Sequence, residues 1–287
     1  MSKNILVTGA NGQLGRSLQT IRSGYPDCRF YFTDVDTLDI GDEAQVADYI
    51  ATNRIEYILN CAAYTAVDKA ESDAESCMRV NCDAVRLLGK VAALNRLRFI
   101  HISTDYVFDG TASLPYREDD QTNPQSAYGR SKLAGEQALQ SVFPDAVIIR
   151  TSWLYSEYGS NFVKTMMNLG KTRTEIKVVA DQTGTPTYAG DLAVAMMTIV
   201  EYQQVVPGIY HFSDEGVCSW YDFAVKIMAS AGLDCRVIPI PTSEYPTPAI
   251  RPAYSVLDKS KIKTAFRLQI PQWEESLAVC IDALQKV

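Results

Sequence analysis

Tyr128 and Lys132 are the two residues of this sequence whose types and spacing point most directly to proton chemistry. They lie four positions apart, just after Ser126, a residue type that caps helices, and the apolar residues that follow recur at helical spacing. On a helix the two side chains share one face, with Cβ atoms about 5–6 Å apart. A free tyrosine titrates near pH ~10, and a neighbouring ammonium favours the phenolate. We therefore predict that Lys132 lowers the pKa of Tyr128 toward the range in which a phenol exchanges a proton with a carbonyl or alkoxide oxygen.

So short a pattern recurs by chance on surface helices, so its meaning depends on the rest of the chain. The 287 residues are 47% hydrophobic and 21% charged, which is typical of a globular protein. The net charge of −7 and the pI near 5.0 argue against binding to nucleic acid or to an anionic membrane surface, and no apolar run reaches the ~20 residues of a membrane span. Seven scattered cysteines without a CxxC pair predict reduced thiols in a cytoplasmic protein, and with only two histidines no metal site is predicted.

A glycine pattern near the amino end predicts a site for the phosphates of a dinucleotide. Gly9, Gly12 and Gly15 follow a buried-strand run at residues 5–7 and precede an apolar helical stretch. In such a loop the first glycine permits the tight turn and the second lets the backbone approach a pyrophosphate, while the third lets the helix pack against the strand. The amino end of the helix then faces the phosphates.

Asp34 ends the second predicted strand, 19 residues after Gly15. At this distance from a glycine loop, a carboxylate accepts hydrogen bonds from the adenosine ribose and repels a 2′-phosphate, so Asp34 favours NADH over NADPH. The alternative is an ordinary loop aspartate. Arg16 could partly offset the charge of Asp34, so we expect a preference for NADH rather than strict exclusion of NADPH.

Strands alternate with helices through the first 150 residues, which predicts an α/β fold with a doubly wound parallel sheet of the Rossmann type. Small residues after the third strand and hydroxyl residues after the fourth lie where such sheets bind ligands, at the carboxyl ends of the strands. One helix is predicted over about 74–94, and the proline-rich run 238–252 is expected to be irregular. Residues 151–287 are predicted to form mainly a smaller, interleaved substrate-binding domain, from which about 190–215 return to the first domain.

Four motifs together resemble those of the extended short-chain dehydrogenases/reductases. They are TGxxGxxG at the amino end, NxAA after the third strand, STD after the fourth, and YxxxK on the next helix. Within that superfamily, five longer segments resemble the dTDP-4-dehydrorhamnose reductase family, namely residues 60–71, 103–110, 150–155, 181–187 and 245–252. The segments span nearly the whole chain, so a chance collection of motifs is a poor explanation.

The resemblance implies NADH- or NADPH-dependent reduction of the C4 keto group of dTDP-4-dehydro-β-L-rhamnose to dTDP-β-L-rhamnose, for dTDP-rhamnose and polysaccharide biosynthesis. It implies that Tyr128 donates the proton, that Lys132 also holds the nicotinamide ribose, and that Thr104 polarises the carbonyl. The residues implied in cofactor binding are Gly9, Gly12, Gln13, Leu14, Gly15, Asp34, Asp39, Ile40, Ala62, Ala63, Tyr64 and Thr65, with Tyr128 and Lys132. The residues implied in substrate binding are Thr104, Asp105, Trp153, Gln182 and Arg251.

Three alternatives stand beside this prediction. A related sugar-nucleotide dehydratase would carry an Asp-Glu pair after the threonine, whereas Tyr106 follows Asp105 here. A reductase of another 4-keto sugar nucleotide would leave few traces in the sequence. A non-catalytic regulatory subunit of the methionine adenosyltransferase type shares the fold, although intact Thr104, Tyr128 and Lys132 favour catalysis.

The resemblance also allows a homodimer. Some family members dimerise through a magnesium ion bound by glutamates, but Ser17 and Gly190 stand at two of those positions. The sequence therefore does not support the magnesium-bridged form.

Overall fold

The computed structural model describes residues 2–202, 204 and 206–286. Its largest element is a six-stranded sheet in which every adjacent pair of strands is parallel, in the order β10-β5-β4-β3-β1-β2. The strands of the described chain are β1 (Lys3–Thr8), β2 (Cys28–Phe32), β3 (Tyr57–Asn60), β4 (Arg98–Thr104), β5 (Val147–Thr151), β6 (Leu154–Tyr155), β7 (Glu175–Val179), β8 (Thr183–Gly184), β9 (Thr187–Tyr188), β10 (Gly208–His211), β11 (Cys218–Ser219) and β12 (Arg236–Ile240).

Helices cover both faces of the large sheet, so the predicted doubly wound α/β fold is confirmed. The chain passes from β1 to β2 on one side and then to β3 on the other, which places a crevice at the carboxyl ends of β1 and β3.

None of the described helices is long and apolar enough to cross a membrane. The helices are α1 (Gln13–Ile21), α2 (Glu43–Asn53), α3 (Val67–Ala70), α4 (Ala74–Met78), α5 (Ala84–Leu94), α6 (Ala127–Val142), α7 (Phe162–Thr172), α8 (Ala189–Glu201), α9 (Trp220–Ala231), α10 (Ser260–Phe266) and α11 (Trp273–Gln285).

Alternate residues of β1 enter two hydrophobic cores, one on each face of the sheet. Ile5 and Val7 pack with α1 and α8, whereas Leu6 packs with α2 and α5, and all three side chains are fully buried. Successive side chains of a strand point to opposite faces. A strand that is covered on both faces therefore shows a continuous apolar run in the sequence.

The helix predicted over 74–94 is interrupted. A π-helical turn, Arg79–Asp83, separates α4 from α5, and Asn81 within it is fully buried. Gly135 of α6 lies against the Asn81 carbonyl so closely that no Cβ would fit between them. The turn therefore brings α6 and the backbone of Asn81 together, and such turns often occur at functional sites.

A third hydrophobic core is formed by residues that follow β5 in the sequence. It is formed by α7, α9 and α11 around buried residues such as Phe223, Ile227 and Trp273. Beside it β7 and β12 form a separate parallel pair, and β12 includes Pro239. The expectation that the whole proline-rich run is irregular is therefore wrong for its first residues. Since β12 pairs with β7 alone, it is an edge strand, where a residue without an N–H group is tolerated.

Two later elements rejoin the large sheet. α8 contributes Leu192 and Met196 to the core that contains Ile5 and Val7, and β10 pairs with β5 along its whole length. Within the segment 190–215, positions 203 and 205 lie outside the described residues. We keep as a proposal the division into a dinucleotide-binding domain, about 1–150 with this returning segment, and an interleaved substrate domain.

Candidate active site

The carboxyl ends of the strands in the large sheet open into a cavity of about 820 Å³. Its lining includes residues from before and after β5, so both regions of the chain contribute. Most of the predicted site residues line it, namely Gly9, Gly12, Gln13, Leu14, Asp34, Asp39, Ile40, Ala62, Ala63, Thr65, Thr104, Asp105, Tyr128, Lys132 and Trp153. Four predicted residues are not among its described lining residues, namely Gly15, Tyr64, Gln182 and Arg251.

The glycine loop has the geometry that a pyrophosphate requires. Gly9 has a φ of +64°, and a Cβ there would lie 2.6 Å from the backbone nitrogen of Ala62, so only glycine fits. Gly12 is the N-cap of α1, and no side chain caps this helix, which leaves its first amide groups available to an anion. Gly15 packs against the backbone of Gly9 and Ala10, as expected for the glycine that joins helix to strand. The residues present therefore fit a dinucleotide.

Asp34 lines the cavity and also holds the glycine loop. Its carboxylate accepts hydrogen bonds from the backbone nitrogens of Asn11 and Val35, at 2.8 and 2.9 Å. A carboxylate has about four acceptor positions, so Asp34 keeps capacity for a ribose hydroxyl. Lys132 is the only Lys or Arg among the described lining residues, and Arg16 does not contribute to the lining.

A residue that was not predicted holds the loop after β3, in which the sequence predicts cofactor contacts. Asn81 accepts a hydrogen bond from the Tyr64 backbone nitrogen at 2.9 Å, and its amide donates to the Tyr64 carbonyl and the Ser131 hydroxyl, both at 3.0 Å. Ser131 in turn donates to the carbonyl of Tyr128 at 2.7 Å. The side chain of Tyr64 instead donates to Asp73, at 3.1 Å. Asn81 therefore ties this loop to α6, and Tyr64 contributes its backbone.

α6 begins as the sequence predicts. The Ser126 hydroxyl caps it by accepting a hydrogen bond from the backbone nitrogen of Gly129 at 3.0 Å. Tyr128 and Lys132 follow within the first two turns, and both line the cavity. The predicted helix and its cap are confirmed.

The prediction that Lys132 lowers the pKa of Tyr128 is wrong. Burial raises the pKa of Tyr128, and the charge of Asp105 raises it further. A hydrogen bond with Thr104 opposes the increase. Lys132 is not among the described groups that shift the pKa of Tyr128. The Lys132 ammonium instead donates to the carbonyl of Ile102 at 2.6 Å, and burial lowers its own pKa to about 8. Helical spacing makes the two residues neighbours, but burial decides the direction of the shift.

Thr104 ends β4, and besides Tyr128 its hydroxyl has two partners in the adjoining turn. It donates to Asp105 Oδ1 at 3.0 Å and accepts from the backbone nitrogen of Tyr106 at 3.2 Å. Asp105 is 2% exposed, and burial raises the pKa of its carboxyl group to about 6. The ring of Tyr106 meets the ring of Tyr128 edge-on, with centroids 5.6 Å apart. The hydroxyl groups of Thr104 and Tyr128 thus lie near the buried carboxyl group of Asp105.

Trp153 contributes to one wall of the cavity and has an unusual backbone. Its φ of +47° is left-handed, a conformation that is costly for a bulky residue and often marks functional sites. The indole stacks on that of Trp220, with centroids 3.6 Å apart, and a Cβ on Gly184 would lie 2.7 Å from the Trp153 ring. The ring is thus held between two neighbours, which suits contact with a sugar. The stacking partner Trp220 was not predicted.

Gln182 and Arg251 bind other parts of the protein. Gln182 donates to the Thr242 hydroxyl at 3.1 Å. Arg251 forms a two-pronged ion pair with Asp68 of α3, with N···O distances of 3.0 and 2.7 Å. The structure does not bring either side chain into the cavity lining, and as substrate ligands both stay predictions.

A loop after β6 lies beside the glycine loop at one end of the cavity and was not predicted. Gly159, Ser160 and Asn161 line the cavity there. The side-chain carbonyl of Gln13 accepts hydrogen bonds from the Ser156 hydroxyl at 3.0 Å and from the Asn161 amide at 2.9 Å. These partners are 143 and 148 positions apart, so no local pattern predicts the contact.

Known proteins resemble this chain along its whole length. The family described as RmlD substrate binding domain matches residues 3–286. A dTDP-4-dehydrorhamnose reductase from Aggregatibacter actinomycetemcomitans is 42% identical over 95% of this chain and 96% of its own, and a dTDP-4-keto-6-deoxy-D-glucose reductase from Streptomyces niveus is 38% identical over 99% and 98%. The crystal structure of dTDP-4-dehydrorhamnose reductase from Bacillus anthracis in complex with NADP is 40% identical, with a TM-score of 0.93 over 99% of this chain and 100% of that one. The chain therefore belongs to the RmlD family, the dTDP-4-dehydrorhamnose reductases.

Proposed function

We propose that the protein reduces the C4 keto group of dTDP-4-dehydro-β-L-rhamnose with a nicotinamide cofactor and so forms dTDP-β-L-rhamnose. One observation carries the proposal: Tyr128, Lys132 and Thr104 line the same cavity as the glycine loop. A proton donor and a dinucleotide site in one cavity suit hydride transfer to a carbonyl group. Membership of the family supplies the class of substrate.

In this proposal Tyr128 holds the proton that reduction requires. Its raised pKa keeps the phenol protonated at neutral pH, and an alkoxide that forms beside it is the stronger base, so the proton moves to the sugar oxygen. A reduced nicotinamide supplies the hydride when it is bound. Lys132, with a pKa of about 8, is mainly cationic at neutral pH, and in this proposal its ammonium holds the nicotinamide ribose. The phenol is thus the acid in the direction of reduction, although its raised pKa makes it a weaker acid than a free tyrosine.

The proposal includes a preference for NADH over NADPH. A 2′-phosphate would meet the Asp34 carboxylate, and among the described lining residues only Lys132 carries a positive charge. The Bacillus anthracis relative was solved with NADP. We therefore expect a ratio of kcat/KM values that favours NADH, with NADPH still accepted.

A second candidate substrate comes from the Streptomyces niveus relative, whose name specifies dTDP-4-keto-6-deoxy-D-glucose. Both substrates carry a keto group at C4 of a 6-deoxy sugar. Tyr128 would act on them alike, and the walls of the cavity near Trp153 would discriminate between the sugars.

The test mixes purified protein, NADH and enzymatically prepared dTDP-4-dehydrorhamnose, follows the nicotinamide absorbance and identifies the sugar formed. Stoichiometric loss of NADH with formation of dTDP-rhamnose is the expected result. Parallel reactions use NADPH and dTDP-4-keto-6-deoxy-D-glucose. Turnover with the second sugar alone would keep the chemistry and change the substrate. NADH binding without turnover of either sugar would instead favour a regulatory subunit.

The proposal also includes a cytoplasmic location and a homodimer without a magnesium bridge. All seven cysteines are free, which suits a reducing compartment. Ser17 and Gly190 offer no carboxylate, and the Ser17 hydroxyl donates to the Gln13 carbonyl at 3.0 Å. Sedimentation velocity with and without EDTA tests the assembly, and a dimer that dissociates in EDTA would contradict this part of the proposal.

A further inference from the structure

In the arrangement described above, the hydroxyl of Thr104 cannot donate to a substrate. A hydroxyl has one proton and two acceptor lone pairs. The Thr104 proton is directed to Asp105 Oδ1, and one lone pair receives the N–H group of Tyr106. The second lone pair is left for the Tyr128 hydroxyl, so Thr104 has no proton to offer, whereas polarising a carbonyl oxygen requires a donor.

Asp105 has the surroundings of a neutral carboxylic acid. Its side chain is buried, and its Oδ2 atom has no hydrogen-bond partner among the described residues. The Thr104 hydroxyl and nearby backbone N–H groups act on it, and the Ser255 hydroxyl lies near without forming a hydrogen bond of good geometry; no described Lys or Arg is among these groups. The titratable side chains that its charge affects are Tyr106 and Tyr128. A buried carboxylate without a cation is costly, and protonation removes that cost.

We propose that protonation of Asp105 reverses its hydrogen bond with Thr104 and so converts Thr104 from an acceptor into a donor toward the substrate carbonyl. The acid donates its proton to Oγ1 of Thr104, which then accepts from both Asp105 and Tyr106 and directs its own proton into the cavity. Thr104 and Tyr128 then both donate to the oxygen on which charge develops. Only hydrogen bonds change, and Asp105 is a positioning residue that acts through Thr104. The proposal rests on the proposed function because it requires a carbonyl substrate.

Activity should fall as Asp105 loses its proton. Burial raises the pKa of Asp105 to about 6, so the donor form of Thr104 predominates below that pH and is lost above it. If the donor form alone were productive, kcat/KM for the sugar would fall about twentyfold between pH 5.5 and 7.5. This window lies above the pI near 5.0. The pKa of Lys132, about 8, lies above the window, and the Asp68–Arg251 ion pair near Tyr106 stays charged throughout it.

The kinetic test compares pH profiles of kcat/KM at saturating NADH for the wild type, Asp105→Asn and the matched control Asp109→Asn. Asparagine does not titrate, so the decline should disappear in Asp105→Asn whichever way its amide lies. The decline in kcat/KM should persist in Asp109→Asn, because the Asp109 carboxylate accepts its hydrogen bonds from Thr111 and not from Thr104.

Thr104→Val separates action through Thr104 from any other role of Asp105. The valine variant should lose about 10²–10³-fold in rate and also lose the decline between pH 5.5 and 7.5. Adding Asp105→Asn to it should then leave the shape of the profile unchanged. A decline that survives in either single variant overturns the proposal.

A second measurement does not depend on turnover. A titration of ¹³C-carboxyl-labelled aspartates by NMR, with Asp105→Asn as the assignment control, should show one carboxyl with a pKa well above the ordinary value of ~3.9. The pKa should rise further in Thr104→Val, because the Thr104 hydrogen bond lowers it. An ordinary pKa for Asp105 would overturn the proposal. A wild type that reduces no sugar but shows this raised pKa would instead contradict the proposed function.

Discussion

The two ends of the cavity are built from different kinds of groups. At the cofactor end, backbone atoms and small residues predominate, as at Gly9, Gly12 and Ala62. At the substrate end, buried or half-buried side chains with shifted pKa values predominate, as at Tyr128 and Lys132. In the proposed function, the first end recognises a shape that the sheet and the helix hold in place, whereas the second acts through single atoms. Loss of one side chain should therefore affect turnover more than cofactor affinity.

Tyr128→Phe should give the largest difference between the effect on turnover and the effect on cofactor affinity. We expect turnover to fall about 10²–10⁴-fold, because the general acid is lost, while the Kd for NADH stays nearly the same. Initial rates and a fluorescence titration with NADH measure the two quantities. Tyr106→Phe, which removes the neighbouring hydroxyl of the ring pair, is the matched control. Comparable turnover of Tyr128→Phe and the wild type would remove the proposed acid.

Lys132→Met tests the one side chain that is expected to act at both ends. The proposed hydrogen bond from the ammonium to the nicotinamide ribose is of the charged kind, and its loss should raise the Kd for NADH about tenfold or more. Turnover should fall by a similar or larger factor. Lys90→Met, at an exposed position of α5, is the control. An unchanged Kd would confine Lys132 to the substrate end.

Trp220→Ala should weaken the substrate end alone. Aromatic stacking contributes about 0.5–1.5 kcal/mol, so the KM for the sugar should rise roughly threefold to tenfold as Trp153 loses its support. The Kd for NADH should not change. Val225→Ala, an exposed truncation on the same helix, serves as the control. An equal rise in KM in both variants would indicate a general loosening of α9.

Asp34→Asn should give the smallest effect, at the cofactor end. The amide oxygen can still accept the hydrogen bond from Asn11, so the loop stays in place while the charge is removed. We expect the ratio of kcat/KM for NADPH to that for NADH to rise by up to about tenfold. Asp36→Asn controls for the loss of a nearby charge. If the ratio does not move, Asp34 does not contact the ribose.

Much of the cavity follows from local sequence. The spacing of Gly9, Gly12 and Gly15, the apolar run before them and the Ser126 cap each specify a short segment, and the parallel sheet then brings the strand ends together. In the structure Gly9 and Gly12 line the cavity, while Gly15 packs against the backbone of Gly9 and Ala10.

The remaining features depend on contacts between distant segments. Asn81 reaches Tyr64 because a π-turn interrupts a helix, and the loop at 156–161 reaches Gln13 across 143 positions or more. The same limit explains the wrong direction predicted for the pKa of Tyr128. Helical spacing reveals neighbours along one helix, whereas burial depends on everything packed around it.

The pairing of β10 with β5 has a consequence for synthesis of the chain on the ribosome. Until residues 208–211 emerge, β5 is the edge of the sheet, and until residues 189–201 emerge, α8 cannot cover the core beside it. An apolar edge strand is a template for pairing with other chains. At elongation rates of about 5–20 residues per second, this nascent edge would persist for several seconds. A protein that stopped near residue 150 would therefore tend to aggregate, although it would contain the whole glycine loop and both residues of the Tyr-Lys pair.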